Sequence, residues 1–267
     1  MKHRQVAIAT EDTMLATVGI VLGDIGRVGS DLRRGYLLRY GRKTLEHAVT
    51  QFQAAAPLTL WLCFFIGTAA TFQAVNVLGL VGADRALAAV LIGSIGLREV
   101  SMLMALLALS ATAGAGFVTE LGSMRVAEEI DALEVMGVSS HPYLITTRLF
   151  GTALAVVPLM VFGIGATFLG GWLIAWAQSD ILSIGGFGFY FWRVIAPLDF
   201  FFALIKGVVI GMTIAMVGLS NGYRATGGPV GVGQAVGRAL NLSIIAGVLM
   251  NLALSYVFWG TKDTVSL

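Results

Sequence analysis

The run Ala48–Ala83, AVTQFQAAAPLTLWLCFFIGTAATFQAVNVLGLVGA, contains no Asp, Glu, Lys or Arg over 36 residues. An α-helix needs roughly 20 apolar residues to span the hydrocarbon core of a bilayer. We therefore place a first membrane span at about residues 57–80. The whole chain agrees, because 57% of its 267 residues are hydrophobic and only 12% are charged, against about 25% charged in a soluble domain. This composition favours an integral membrane protein and excludes disordered, coiled-coil and soluble α/β classes.

Four further apolar stretches follow the first one. We predict spans at about residues 86–118, 149–176, 198–219 and 239–259. The third contains Pro158, which membrane helices tolerate, and the 34 glycines of the chain suit close helix packing in lipid. The predicted fold is an all-α integral membrane protein with five transmembrane helices in a membrane domain over residues 57–267.

Residues 1–56 form a separate, basic N-terminal segment. At helical spacing, one face holds the mostly apolar set Val18, Leu22, Ile25, Gly29, Leu32 and Tyr36, and the opposite face holds Asp24, Arg27, Asp31 and Arg34. This pattern is typical of an amphipathic helix lying flat at the membrane surface, with its basic residues against anionic headgroups. A solvated helix packed on another protein is the alternative.

The distribution of basic residues predicts the orientation. With the N-terminus in the cytoplasm, the inner segments 1–56, 119–148 and 220–238 hold 12 Lys and Arg residues, and the outer segments hold three, which are Arg85, Arg193 and Lys262. Basic residues concentrate on the cytoplasmic side of membrane proteins. We therefore expect a multi-pass protein of the bacterial inner membrane with a cytoplasmic N-terminus and a C-terminus on the outer side.

The motifs in the sequence do not favour an enzyme. The chain has one cysteine, Cys63, and three scattered histidines, and it lacks a zinc-binding helix, a nucleophile elbow and a phosphate-binding loop. We predict a non-catalytic subunit with no metal site and no cofactor of its own. No basic run is interleaved with aromatic residues, so nucleic acid is not an expected partner.

Arg98 and Glu99 interrupt the second predicted span. Ionisable residues inside a membrane span are costly and mark functional sites by default. Adjacent helical residues point about 100° apart, so these two do not simply neutralise each other. The structural alternative is a buried ion pair or carbonyl contact that locks helices together.

The one concentrated charge cluster lies in Leu121–Gly137, LGSMRVAEEIDALEVMG. Val126, Ile130, Leu133 and Gly137 share one helical face, while acidic residues occupy the others. Ser123 is the expected N-cap, Gly137 the C-cap and Pro142 the stop. An acidic loop on the cytoplasmic side gains nothing from anionic lipid, so the pattern favours a docking surface for another protein over a merely solvated loop.

The stretch Thr119–Val138, TELGSMRVAEEIDALEVMGV, closely resembles the signature of the MlaE/YrbE permeases. These are membrane subunits of ABC lipid transporters that work with MCE (mammalian cell entry) domain proteins. Leu97–Val100 is similar to the family's Arg-Glu-Leu motif, and the order of one interfacial helix and five spans fits the whole chain. One departure is Ala111-Thr112, where the family usually carries Gly-Arg, so a positive charge is missing there.

The resemblance implies partners and a mechanism. The permease would pair with a second copy or a paralogue, two cytoplasmic ATPases would bind ATP and Mg beneath it, and a ring of MCE-domain proteins would exchange lipid with it on the outer side. Residues 124–136 would form the coupling helix seated in each ATPase. The coupling residues are Met124, Arg125, Glu128, Glu129, Asp131, Leu133, Glu134, Met136 and Gly137.

The resemblance also implies a lipid pocket lined by the first, second and fifth spans, with Arg98 and Glu99 near it. A phospholipid needs a wide apolar cavity and a few polar groups. Arg98 would meet a phosphate through its planar guanidinium, and Glu99 would hold that arginine or line the polar path. The expected apolar wall consists of Leu62, Phe65, Phe72, Leu103 and Met104.

The sequence alone does not decide between this function and two others, or between two candidate dimer surfaces. A proton-coupled secondary transporter would use Glu99 as its proton site, and a membrane scaffold would transport nothing. Small-residue pairs in the fourth span, Gly207/Gly211 and Gly218/Gly222, fit either a dimer interface or packing within one subunit. The fifth span is the better dimer candidate, because its polar residues need partners in hydrocarbon: Asn241, Ser243, Asn251 and Ser255.

Overall fold

A computed structural model describes residues 19–260. Val18 and the basic residues Lys2, Arg4 and Lys262, on which parts of the predicted N-terminal face and orientation rest, lie outside this range. The helices are α1 (residues 19–33), α2 (Tyr36–Arg39), α3 (Gly41–Leu80), α4 (Arg85–Val126), α5 (Glu129–Val135), α6 (Pro142–Ala177), α7 (Ile184–Val194), α8 (Pro197–Tyr223) and α9 (Gly228–Trp259). Within residues 19–260 there is no strand. Five helices, α3, α4, α6, α8 and α9, are long and apolar enough to cross a membrane, which confirms the predicted fold class.

The membrane helices extend beyond the predicted spans. Helix α3 begins at Gly41 rather than near residue 57, and its polar first turns carry ion pairs from Arg42 and Lys43 to Glu46. Such pairs between residues three and four apart support a helix in water. Hydropathy therefore locates the part of a helix that meets lipid and leaves out its polar extensions.

Helix α4 contains two π-type turns, at Gly96–Val100 and Ser110–Gly114. A π-type turn inserts an extra residue, and such turns are frequent at functional sites. The first of them carries both Arg98 and Glu99. The turn therefore changes which side chains of α4 face the neighbouring helices at this level.

Helix α8 lies among α4, α6 and α9, and glycines allow the close approach. A Cβ at Gly207 or Gly211 would meet side chains of α6 within 2.7 Å, and one at Gly218 or Gly222 would meet backbone atoms of α4 within 2.8 Å. Both glycine pairs therefore pack inside the chain. The alternative of a dimer interface at these glycines is not what the structure shows.

Helices α3 and α9 lie at the edges of the bundle. In the most apolar 18 residues of each, 28% of α3 and 17% of α9 are buried, against at least 50% in α4, α6 and α8. Ser243 and Asn251 of α9 are buried in the chain and so do not line a dimer axis, whereas Asn241 is exposed. The outward face of α9 is instead apolar, with Ile245, Leu249, Leu252, Tyr256 and Val257 exposed.

Helix α1 packs on the bundle through acidic side chains. Leu22 and Ile25 are exposed, as expected for an apolar face toward lipid, but Asp24 and Asp31 are buried. Asp24 binds Arg224 at the end of α8, and Asp31 binds His141 at the start of α6. The two aspartates of the polar face therefore hold α1 against the bundle.

Candidate functional site

Arg98 and Glu99 bind different side chains of the same two helices, α8 and α9. Arg98 Nη2 donates to Asp199 Oδ2 of α8 at 2.6 Å. Trp259 of α9 donates its indole N–H to the other oxygen of Asp199 at 2.8 Å, and its ring lies 5.3 Å from the Arg98 guanidinium carbon. Arg98 is therefore held by α8 and α9 together.

Lys206 of α8 lies beside Arg98 and Glu99, and its charged side chain is 0% exposed. Its ammonium group donates to the Arg98 carbonyl and to Glu99 Oε1, both at 2.9 Å, and to Ser255 Oγ. An ammonium has three N–H donors, so all of them are used. Burial without this full set of acceptors would be costly.

The carboxylate of Glu99 completes the cluster from the α4 side. Besides Lys206, it accepts hydrogen bonds from Asn251 Nδ2 at 2.8 Å and from Ser255 Oγ. The Glu99 side chain is still 32% exposed. We call Arg98, Glu99, Asp199, Lys206 and Asn251 the charge cluster, and Glu99 is its most accessible charged group.

Sequence reasoning missed three members of this cluster, of which Asn251 was expected at a dimer axis instead. Asp199 and Lys206 were not predicted as partners of Arg98 and Glu99, and the expectation that Glu99 orients Arg98 is wrong, because Asp199 and Trp259 do so. A signal was available: residues seven apart lie on one face of a helix, and both are ionisable residues of α8. The structure thus shows the ion-pair geometry of the structural alternative.

Two of the five predicted residues of the apolar wall lie on the outer surface of the chain. Phe65 and Phe72 of α3 are 59% and 47% exposed, and Leu62, Leu103 and Met104 are half-buried. A groove of about 200 Å³ lies instead between α3 and α4, and Gly96 and Val100 of the first π-type turn line it. None of the five predicted wall residues lines this groove.

The predicted coupling helix is shorter than expected. Met124 and Arg125 belong to the end of α4, and α5 covers only Glu129–Val135. Glu128 between them has a left-handed backbone, with φ 61°. Ser123 is not an N-cap, since it lies within α4 and its hydroxyl donates to the Glu120 carbonyl.

The end of the coupling segment follows the prediction only in part. Gly137 follows α5 with φ 79°, which suits the predicted C-cap. Pro142 begins α6 rather than stopping a helix.

The exposed surface of the coupling segment, residues 124–137, is acidic and apolar. Ile130 is buried and Leu133 half-buried against the bundle, so they are not free for a partner, whereas Val135 and Met136 are 89% and 69% exposed. The side chains of Glu128, Glu129, Asp131 and Glu134 are exposed. Asp131 binds Arg125 at 2.7 Å.

A second polar cluster joins α1, α6 and α8 at the end of the bundle that carries α5. Asp24 accepts hydrogen bonds from Arg224 and from Ser220 Oγ, the latter at 2.8 Å. Burial alone would raise the pKa of Asp24, but these hydrogen bonds and the charge of Arg224 hold it below its ordinary value. Ser140 links Tyr223 of α8 to Glu134 of α5.

Thr112, which stands where the resembled family usually has Arg, faces α3. Its hydroxyl accepts a hydrogen bond from Gln51 at 3.2 Å and donates to the Ala108 carbonyl.

Within residues 19–260, no group of three or more His, Cys, Asp or Glu residues could hold a metal ion.

Five long apolar helices with two ion pairs among them define a multi-pass membrane protein. Comparison with known families identifies it further: the family model of Permease MlaE matches residues 44–257. The chain belongs to the MlaE permease family. It is therefore a permease subunit of an ABC transporter, a class that in general works as a dimer with ATPase partners.

The individual relatives share less than a third of their aligned residues with this chain. The chain is 29% identical over 239 residues to "Protein TRIGALACTOSYLDIACYLGLYCEROL 1, chloroplastic" of Arabidopsis thaliana, covering 84% of this chain and 65% of that protein. It is 29% identical to a "Probable ABC transporter permease protein" of Synechocystis, with 90% of each covered. A probable ABC transporter permease protein of Rickettsia bellii is 27% identical, over 76% of this chain and 78% of that protein.

Proposed function

We propose that this chain moves phospholipid or another lipid between the bacterial inner membrane and MCE-domain proteins. A second permease copy or paralogue completes the membrane part, and two ATPase subunits, which hold the ATP and Mg, drive it. The N-terminus lies in the cytoplasm and the C-terminus on the outer side. The name of the Arabidopsis relative contains a galactolipid, which agrees with a lipid as cargo.

The charge cluster is the observation that carries this proposal. Ionised side chains inside a membrane bundle are costly and typically mark substrate or ion pathways, and here two ion pairs leave Glu99 open to the outside of the chain. Exposed apolar side chains of α3, such as Phe65 and Phe72, lie on the helix next to α4. A polar group beside an apolar surface is what a lipid headgroup and its acyl chains require.

The roles of Arg98 and Glu99 in this site are unequal. Arg98 is already paired with Asp199, so a phosphate reaches its guanidinium only when that pair opens or shares its donors. Glu99 needs no such opening, because its side chain is partly exposed. Glu99 is therefore the first group of the cluster that a lipid headgroup meets.

Lipid transfer from proteoliposomes tests the proposal. The permease is reconstituted with its ATPase, and transfer of a fluorescent phospholipid to acceptor MCE protein is followed. Transfer should require ATP hydrolysis and persist when a protonophore collapses the proton gradient. Loss of transfer with the protonophore while ATP remains would favour the proton-coupled transporter, and the absence of any transfer would favour the scaffold.

The coupling segment is the proposed ATPase contact. Its exposed acids would meet basic residues at the rim of a groove, and Val135 and Met136 would enter the groove in place of the buried Ile130. Combined Glu129→Lys and Asp131→Lys changes should release the ATPase during purification. Asp180→Lys is the matched control, since this exposed acid lies beyond α6 at the opposite end of the bundle. Wild-type co-purification of the double variant would contradict the assignment.

A further inference from the structure

A small basic cavity lies at the end of the bundle that carries α1, away from the charge cluster. It has a volume of about 200 Å³ and lies among α1, the end of α8 and the first turns of α9. Its lining residues are Ile20, Ser220, Asn221, Arg224, Ala225, Thr226 and Arg238. Ser220 is 14 residues from Lys206 along α8, which is about 20 Å. The cavity is therefore separate from the proposed transport site.

The two arginines of this cavity differ in how they are paired. Arg224 binds both carboxylate oxygens of Asp24, and Arg27 lies 3.8 Å from the same carboxylate. Arg238 is exposed and makes no ion pair or hydrogen bond with residues 19–260. Since no acidic side chain lines the cavity, one guanidinium charge there is not neutralised.

Neutral donors and an apolar lip surround this charge. The polar side chains of Asn221 and Thr226 line the cavity, whereas the Ser220 hydroxyl donates its hydrogen to Asp24. Ile20 forms its edge and is 39% exposed, beside the exposed Leu22 and Ile25 of α1. A free phosphate ion would use the basic part of this cavity alone, whereas a phospholipid would use the apolar lip as well.

We propose that this cavity binds the phosphate group of an anionic membrane phospholipid, with Arg238 as its principal ligand. A planar guanidinium can bind two phosphate oxygens at once. The acyl chains would lie along the apolar face of α1. A bound lipid would then join α1 to α9, which the Asp24–Arg224 contact does not do on its own.

Thermal unfolding of the purified full-length chain in detergent tests the proposal. The unfolding temperature is followed while dioctanoyl phosphatidylglycerol is added, with dioctanoyl phosphatidylcholine and inorganic phosphate as parallel titrations. Phosphatidylglycerol should raise the unfolding temperature at lower concentration than either. In Arg238→Gln, half of the effect should need about tenfold more phosphatidylglycerol, the loss typical of one charge-assisted hydrogen bond.

Arg33→Gln is the matched control, because Arg33 is also exposed, lies on α1 and does not line this cavity. It should respond as the wild-type chain does. Equal weakening in both variants would overturn the proposal in favour of non-specific attraction. An equal response to inorganic phosphate would overturn the assignment to lipid, and no response to phosphatidylglycerol would overturn the site itself.

Discussion

At the scale of single residues, the charges inside the bundle are paired, and the Lys206 ammonium uses all three of its donors, whereas Arg98 Nε has no hydrogen-bond partner among residues 19–260. The three acceptors around the Lys206 ammonium come from α4 and α9, and the two donors to Asp199 come from α4 and α9 as well. Each pair therefore ties three helices together. Removing one member leaves the other as an unpaired charge in an apolar bundle.

Lys206→Met should destabilise the chain, because it leaves Glu99 without its counter-charge. We expect a loss of about 3 kcal/mol in the free energy of unfolding, measured by denaturant titration in detergent. Lys43→Met breaks the exposed Lys43–Glu46 pair and should cost less than about 1 kcal/mol. Equal, small losses in both variants would mean that the buried pair does not stabilise the fold.

Asp24→Asn should loosen α1 and make stability less dependent on pH. Because the pKa of Asp24 is lowered in the folded chain, its ionised form stabilises the fold above the ordinary pKa of an aspartate. That contribution is lost as the pH falls through the lowered pKa. The protection of α1 amides from hydrogen exchange should therefore fall in the variant at pH 7.

The difference between the wild-type chain and Asp24→Asn should shrink below about pH 4. Asp131→Asn, which alters an exposed pair with Arg125, serves as the comparison and should leave α1 protected. A difference that stays constant from pH 7 to pH 3 would contradict a charged Asp24 as the anchor of α1.

The sequence identifies Arg98 and Glu99 but cannot supply their partners. A charged residue in an apolar run is visible by itself, whereas Asp199 is 101 positions away from Arg98. Helical spacing predicts neighbours within one helix only. The same limit explains α1: its amphipathic pattern is visible, but the burial of Asp24 depends on Arg224, 200 positions later.

At the scale of helices, glycines set how closely the bundle packs. Gly218 of α8 lies against the backbone of α4, and a Cβ there would come within 2.5 Å of the Gly114 carbonyl oxygen. Backbone atoms cannot move aside as a flexible side chain can. The two helices would have to separate.

Gly218→Ala should therefore cost about 1 to 3 kcal/mol in unfolding free energy, the usual range for overpacking a close contact. Circular dichroism during denaturant unfolding in detergent measures this. Gly165→Ala in α6 is the control, because a Cβ there meets no heavy atom within 4 Å. If Gly165→Ala is as destabilising as Gly218→Ala, the effect comes from helix chemistry rather than from the contact with α4.

The five membrane helices were predictable, but the shape of the coupling segment was not. An apolar run long enough to cross a bilayer is expected to be a helix, because its backbone N–H and C=O groups must form their hydrogen bonds within the segment. The segment at residues 124–137 has a continuous amphipathic pattern, and Glu128 nevertheless interrupts it with a left-handed backbone. The sequence does not predict this conformation at Glu128, since residues with a left-handed backbone are usually Gly or Asn.

At the scale of the whole molecule, helix α1 and the C-terminal end of α9 lie at opposite ends of the bundle. Helix α1 contacts the end of α8 through Asp24 and Arg224, whereas Trp259 of α9 contacts Asp199 at the start of α8. The exposed coupling segment lies at the α1 end, and the aromatic α7 precedes α8 at the other. The basic residues then predict that the α1 end faces the cytoplasm.

Cysteine labelling tests this orientation. The only cysteine, Cys63, is buried, so the unaltered chain is the unlabelled control. In intact spheroplasts, a membrane-impermeant maleimide should label Ser179→Cys, which follows α6, and should label Ser139→Cys only after permeabilisation. Both positions are exposed. The reverse pattern would invert the proposed topology and place the coupling segment on the wrong side for a cytoplasmic ATPase.

Capture of lipid beside the charge cluster is the most direct test of the proposed function. A photo-reactive amino acid at Leu103, one turn from Glu99, is irradiated in the transporting complex, and the same probe at Leu169 on the exposed surface of α6 reports general contact with the membrane. We expect lipid capture at Leu103 to exceed that at Leu169 and to fall when Glu99→Gln is introduced, together with ATP-driven transfer. Equal capture at both positions, with normal transfer by Glu99→Gln, would show that the charge cluster only holds the helices together.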